Sequence, residues 1–197
     1  MSDFLWWRDR CTHIASMQIS SYSIPPSSDH PFFITAKRYW LSECGRLDSD
    51  SDADARTLIL LHSTSFHKEI WEPFIQDFYN LVLKKCLQDS IGNRTKMGVV
   101  VRDAWAIECP NHGESASLNL RVWTESPEER MKCTCIFFYK WAIYVLIVRY
   151  LSVSCQKYAD AVHRFLSIDP ADPNGPRFNF RKRKLIGIGH SLGANSL

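Results

Sequence analysis

Residues 189–193 read Gly189-His190-Ser191-Leu192-Gly193, a serine with a glycine two places to either side. That spacing suits a sharp strand-to-helix turn that lifts a serine hydroxyl over the edge of a sheet, a nucleophile elbow. The turn strains the serine backbone, and side chains at 189 and 193 would collide within it. A serine presented in this way could act as a nucleophile.

The elements around this serine read as an α/β pattern. The apolar run Leu185–Ile188 leads into the elbow, and Ala194 behind it is compatible with a helix start. Thr57–Leu61 is a continuous apolar run of strand length, suited to burial on both faces. It ends in His62-Ser63-Thr64. Ile70, Phe74, Phe78 and Leu81 recur at helical spacing, predicting a helix to about Leu87. Met97–Val101 continues through Ala104–Ile107 as a second buried strand and runs into Asn111-His112-Gly113-Glu114-Ser115. Tyr158–Leu166 predicts a helix with Ala161, Val162, Phe165 and Leu166 on one face, closed by turn residues at 169–176. Phe32–Leu41 is rich in aromatic and β-branched residues and predicts one or two strands. Strand, helix, strand, helix, strand implies βαβ units, a mostly parallel sheet flanked by helices. Residues 1–30, with Trp6, Trp7 and a Ser/Pro-rich run, read as an N-terminal extension before a domain over 31–197.

Composition narrows the function classes. The chain has 197 residues and a net charge of +3, too small an excess to argue for nucleic acid. The Arg181–Lys184 cluster reads as a solvated lead-in to a strand. The acidic stretch Leu47–Ala55 resembles a calcium loop but lacks the glycine and glutamate such a loop needs, so a solvated loop is expected. Seven cysteines are scattered with no zinc-ligand spacing, and no signal peptide is evident. Free thiols in a reducing, intracellular compartment follow. No metal or organic cofactor is implied.

One segment breaks the pattern. From Met131 to Ser154 the composition shifts to aromatics, β-branched residues and cysteine. Three readings stay open for about 130–155: translated intron, buried insertion, or membrane segment. Lys140 and Arg149 count against the last, each costing about 2.5–3.5 kcal/mol near a bilayer centre.

The three strand ends, His62-Ser63-Thr64, Asn111–Ser115 and Gly189–Gly193, together resemble the α/β-hydrolase superfamily. Phe66-His-Lys-Glu-Ile-Trp-Glu-Pro73 and Asn111-His-Gly-Glu-Ser-Ala116 look most like fungal α/β-hydrolases related to host-selective toxin biosynthesis proteins. The resemblance covers about 30–125 and 156–197. It implies the N-terminal portion of an α/β-hydrolase fold, with Ser191 as nucleophile. Leu192 would donate one oxyanion N–H and Thr64 the other, following the H-G-x pattern of relatives. Ser63 stands where those relatives carry glycine. Gly189, His190, Gly193, His62, His112 and Gly113 would support the elbow and loops.

His62 and His112 fit backbone-holding roles. His67 and His163 fit surface or packing roles, and His190 points away from its neighbour at a sharp elbow. In this family the triad runs Ser, acid, His along the chain, and only six residues follow Ser191. The expectation is therefore a serine hydrolase for a small-molecule ester or related acyl substrate, in fungal secondary metabolism, inactive as written. A non-hydrolytic or non-catalytic protein of the same fold is the alternative, and a membrane-anchored interaction protein a third. The resemblance adds a cytoplasmic or peroxisomal location, and no membrane partner is expected.

Overall fold

The computed structural model describes residues 17–41, 55–89, 101–125 and 154–197. The stretches at 1–16, 42–54, 90–100 and 126–153 lie outside them, and with them nearly all of the calcium-loop lookalike, the early tryptophans, the first four residues of the strand expected from Met97 and nearly all of the segment at 130–155. Five strands form one mixed sheet: β1 (Met17–Ile24), β2 (Ile34–Leu41), β3 (Arg56–Leu61), β4 (Val101–Ile107) and β5 (Lys184–Gly189). Their spatial order is β1-β2-β4-β3-β5. β4, β3 and β5 are parallel, as the buried apolar runs imply, while β2 lies antiparallel to both β1 and β4.

Helices cover both faces: α1 (Glu72–Asp89) and α4 (Cys155–Ser167) are the long ones, α2 (Gly113–Leu118) and α3 (Leu120–Glu125) short. Side chains alternate along β3 and sort into two cores. Leu58 and Leu60 pack with Ile75 and Tyr79 of α1. Ile59 and Leu61 pack with Tyr158, Ala161, Val162 and Phe165 of α4, around the fully buried Trp105 of β4. Ser154 caps α4 by accepting the Lys157 N–H at 3.2 Å.

Sequence alone sets residues 1–30 apart, but Met17–Ile24 is the edge strand β1, paired with β2 from Met17↔Leu41 to Ile24↔Ile34. Three serines in eight residues hide it, because a strand with one covered face needs few apolar residues. The periodicity of Ile70, Phe74, Phe78 and Leu81 does mark a helix, yet Ile70, Phe74 and Leu81 remain exposed. Ile75 and Tyr79 face the sheet instead, with Tyr79 Oη donating to the Tyr39 carbonyl at 2.9 Å. Glu72 fixes the helix start, accepting from Tyr39 Oη at 3.0 Å and Lys37 Nζ at 3.1 Å. Cys109 and Cys155, the cysteines whose side chains are described, are free thiols. No described helix is long and apolar enough to cross a membrane.

The start of β4 carries a buried ionic cluster. Asp103, fully buried, accepts from Arg38 Nε of β2 at 2.8 Å and Thr57 Oγ1 of β3 at 2.7 Å. Arg183 Nη1, just before β5, adds a third bond at 3.1 Å. Phe178 lies between the two guanidinium groups, 4.2 and 4.4 Å from their central carbons. Asp103→Ala would leave two buried cations facing no carboxylate, a loss of about 3–5 kcal/mol. The expected outcome is a correspondingly lower urea midpoint, measured by circular dichroism.

Candidate active site

β3, β4 and β5 end level with one another, since Leu61 pairs with Ile107 on one side and Gly189 on the other. The loops that begin at His62, Glu108 and His190 therefore leave one edge of the sheet side by side.

The third of these is the elbow. Ser191 has φ 52°, in the left-handed region that a side-chain-bearing residue occupies at a cost of about 1–3 kcal/mol. Its side chain is exposed. The His190 N–H donates to the Leu61 carbonyl at 3.0 Å, extending the β3–β5 ladder by one rung. Both glycines are required by close approach. A Cβ on Gly189 would lie 2.4 Å from the Ala194 nitrogen, and one on Gly193 would lie 2.3 Å from Leu61 O and 2.8 Å from His62 O. Behind the serine, the N–H groups of Ala194 and Asn195 both reach the Ser191 carbonyl, at 3.0 and 3.2 Å. The Leu192 N–H has no hydrogen-bond partner among the described residues.

The loop after β3 is held on both sides of Thr64. His62 is fully buried and donates from Nδ1 to the Ser63 carbonyl at 2.8 Å. His62 Nε2 accepts the Cys109 N–H at 3.0 Å and lies 3.1 Å from Glu108 Oε1. A neutral ring protonated on Nδ1 satisfies Ser63 and Cys109; a second proton on Nε2 would exchange the Cys109 bond for one to Glu108. On the other side, His112 Nε2 accepts the Ser65 N–H at 3.0 Å, while its Nδ1 donates to Asn111 Oδ1 at 2.6 Å. Burial pushes the His112 imidazole down to about 4, and the nearby His62 adds to this. The left-handed residue of the loop is Ser65, φ 68°, so Ser63 needs no glycine conformation where the relatives carry glycine. Thr64 is exposed, and its N–H, like that of Leu192, has no partner among the described residues.

Gly113, φ 47°, sits where a Cβ would be 2.4 Å from Glu108 Oε2. Three groups that sequence did not single out complete the site. Tyr158 of α4 donates to the Ile107 carbonyl at 2.7 Å and accepts the His62 N–H at 3.3 Å, bridging the ends of β3 and β4. Glu108 and Lys68, both buried, pair at 2.9 Å between the two loops. Glu108 lies one residue past the end of β4, but Lys68 lies seven past the end of β3, so no local pattern pairs them. His67, His163 and His190 are exposed, and His190 faces the Phe66 ring at 6.4 Å between centroids. Among the described residues no histidine hydrogen-bonds Ser191 Oγ. A cleft of about 410 Å³ lies at the opposite edge of the sheet, between β1 and residues 173–178.

No protein-family model matches the chain, and no curated protein sequence matches it. Among solved structures the chain is similar to the peroxisomal α/β-hydrolase Lpx1 of Saccharomyces cerevisiae. The identity is 16% and the TM-score 0.48, over 92% of this chain and 39% of that one. The chain thus spans well under half the length of that protein.

Two outcomes follow from this geometry. Gly193→Ala must push the elbow away from the end of β3, an overpacking worth about 1–3 kcal/mol. Gly187→Ala meets only the movable tip of Leu197, 2.6 Å from the added Cβ, and should cost less; paired urea titrations rank the two. Because His112 titrates lower when folded than its ordinary 6.5, its contribution is intact above pH 6.5 and lost as pH falls towards 4. A loss on the order of 2–3 kcal/mol is expected over that window, and His112→Gln should flatten the slope of melting temperature against pH.

Proposed function

We propose that this chain presents the nucleophile and oxyanion donors of a serine hydrolase of the α/β-hydrolase kind, acting on an ester or related small-molecule acyl substrate. One observation carries the reading: the left-handed Ser191 at the end of a parallel strand, followed directly by an uncommitted Leu192 N–H. In the reaction the Ser191 Oγ–carbon bond forms as the hydroxyl proton leaves to a base. The N–H groups of Leu192 and Thr64 meet the oxyanion, and the ester C–O bond breaks with the proton passing to the leaving alcohol. Water then attacks the acyl-serine by the same route in reverse. The base that a serine needs at neutral pH is not supplied by a described histidine. The likeness of residues 66–73 and 111–116 to toxin-biosynthesis hydrolases extends the proposal to a step in fungal secondary metabolism.

A fluorophosphonate probe tests it, with imidazole added as a dissolved base. The expected outcome is labelling at Ser191, located by peptide mass spectrometry, that rises with imidazole and disappears in Ser191→Ala. Labelling spread over other serines, or none at Ser191 at any imidazole concentration, would overturn the proposal.

A further inference from the structure

Between the loops after β3 and β4 lies a buried pair that ties one loop to the other. Glu108 is fully buried one residue past β4, and Lys68 is 1% exposed at the start of the 3-10 turn 68–71. Glu108 Oε2 accepts from Lys68 Nζ at 2.9 Å, and Glu108 Oε1 accepts the Lys68 backbone N–H at 3.0 Å. The same carboxylate therefore holds both the tip and the backbone of one residue. Lys68 Nζ reaches Glu114 Oε2 at 3.2 Å and Glu69 Oε1 at 3.3 Å as well, so its three protons each have an acceptor. Burial alone would lower the ammonium of Lys68 and raise the carboxyl of Glu108. Bonding outweighs it in both directions, from Glu108, Glu69 and Glu114 on Lys68 and from His62 and Lys68 on Glu108, and keeps the pair ionised.

This pair closes the last open side of the loop at 62–68. His62 holds the Ser63 carbonyl, His112 holds the Ser65 N–H, and Glu108 holds the Lys68 N–H. What is left over is the Thr64 N–H, on an exposed residue and without a partner among the described residues. A backbone donor gains its effect on a developing oxyanion from being fixed before the charge arrives. We propose that Lys68, through its buried pairing with Glu108, is a positioning residue that fixes the Thr64 N–H as an oxyanion donor. This rests on Ser191 being the nucleophile. Lys68 itself touches no reacting atom; it acts through the loop.

The test compares the full chain with Lys68→Met and Glu114→Gln, using two readouts per folded molecule. One is the rate of imidazole-assisted fluorophosphonate labelling at Ser191; the other is amide hydrogen exchange in peptides covering 62–66. In Lys68→Met, exchange at 62–66 should rise while β3 and β4 stay protected, and labelling should slow about ten- to a hundredfold. Should that variant fail to fold, Glu114→Gln serves: its carboxylate is 55% exposed, so no buried charge is stranded, and a two- to threefold slowing, about what one loosened bond gives, is expected. Gln76→Ala, which removes an exposed bond to Asn80 on α1 away from the loop, should leave the labelling rate unchanged. Variants that label at the wild-type rate per folded molecule would overturn the role of Lys68 and leave Ser191 standing. A wild-type chain that never labels at Ser191 would overturn both.

Discussion

The Leu61 carbonyl is the point on which the site turns. It accepts the His190 N–H at 3.0 Å, and it stands where Gly193 has no room for a Cβ. The same residue pairs with Ile107, so the ends of three strands are levelled against one another. A backbone held this closely on two sides can keep Ser191 at φ 52°, a conformation worth about 1–3 kcal/mol of strain that local sequence would otherwise relax. The exposure of Ser191 and the burial of Leu192 behind it follow from that one turn. Nothing in the serine's own side chain fixes its position.

β4 answers for the rest through two carboxylates five positions apart, Asp103 near its start and Glu108 just past its end. Each is fully buried, and each is bonded to elements distant in sequence. Asp103 joins β2, β3 and the lead-in to β5; Glu108 joins the loop after β3 to the one after β4. Replacing such a cluster with apolar residues can be neutral or stabilising, so net stability is a weak reason for their presence. Their geometry supplies a better one. A slip of β4 against β3 would break the Thr57–Asp103 bond at one end and separate Lys68 from Glu108 at the other, so the two clusters fix the register that levels the strand ends.

Much of this was legible in the residues. The runs at 57–61 and 101–107 announce buried parallel strands because a strand covered on both faces cannot alternate, and the run at 185–188 announces a third parallel strand that the structure leaves largely exposed. The elbow announces itself through glycines that close packing demands. β1 was hidden because an edge strand with one covered face needs few apolar residues. The face of α1 was misleading, since Ile70, Phe74 and Leu81 mark a helical period without marking the side that packs. Glu108, Lys68 and Tyr158 were invisible for a different reason. Each earns its place from partners about 40 to 50 residues away, at a distance no local pattern reports.

The strand that carries the serine is the least supported strand of the parallel set. Among the described residues β5 pairs with β3 alone, and its Leu185 and Ile186 are 39% and 38% exposed, where Leu58 to Leu61 of β3 lie between 0% and 4%. Leu197 folds back over Gly187 and is itself 60% exposed, so it adds little cover. Local opening free energies track buried apolar contact and protected backbone bonds. By that measure β5 and the elbow belong to the low-stability end of the sheet, while the loop bearing Thr64 sits on a strand paired and buried on both sides. The two uncommitted N–H groups therefore differ in how firmly they are held: that of Thr64 by the side chains of His62, Glu108 and His112, that of Leu192 by one ladder and one glycine contact. Any displacement of Ser191 relative to the Thr64 N–H begins on the β5 side, at the contact between Gly193 and the Leu61 carbonyl.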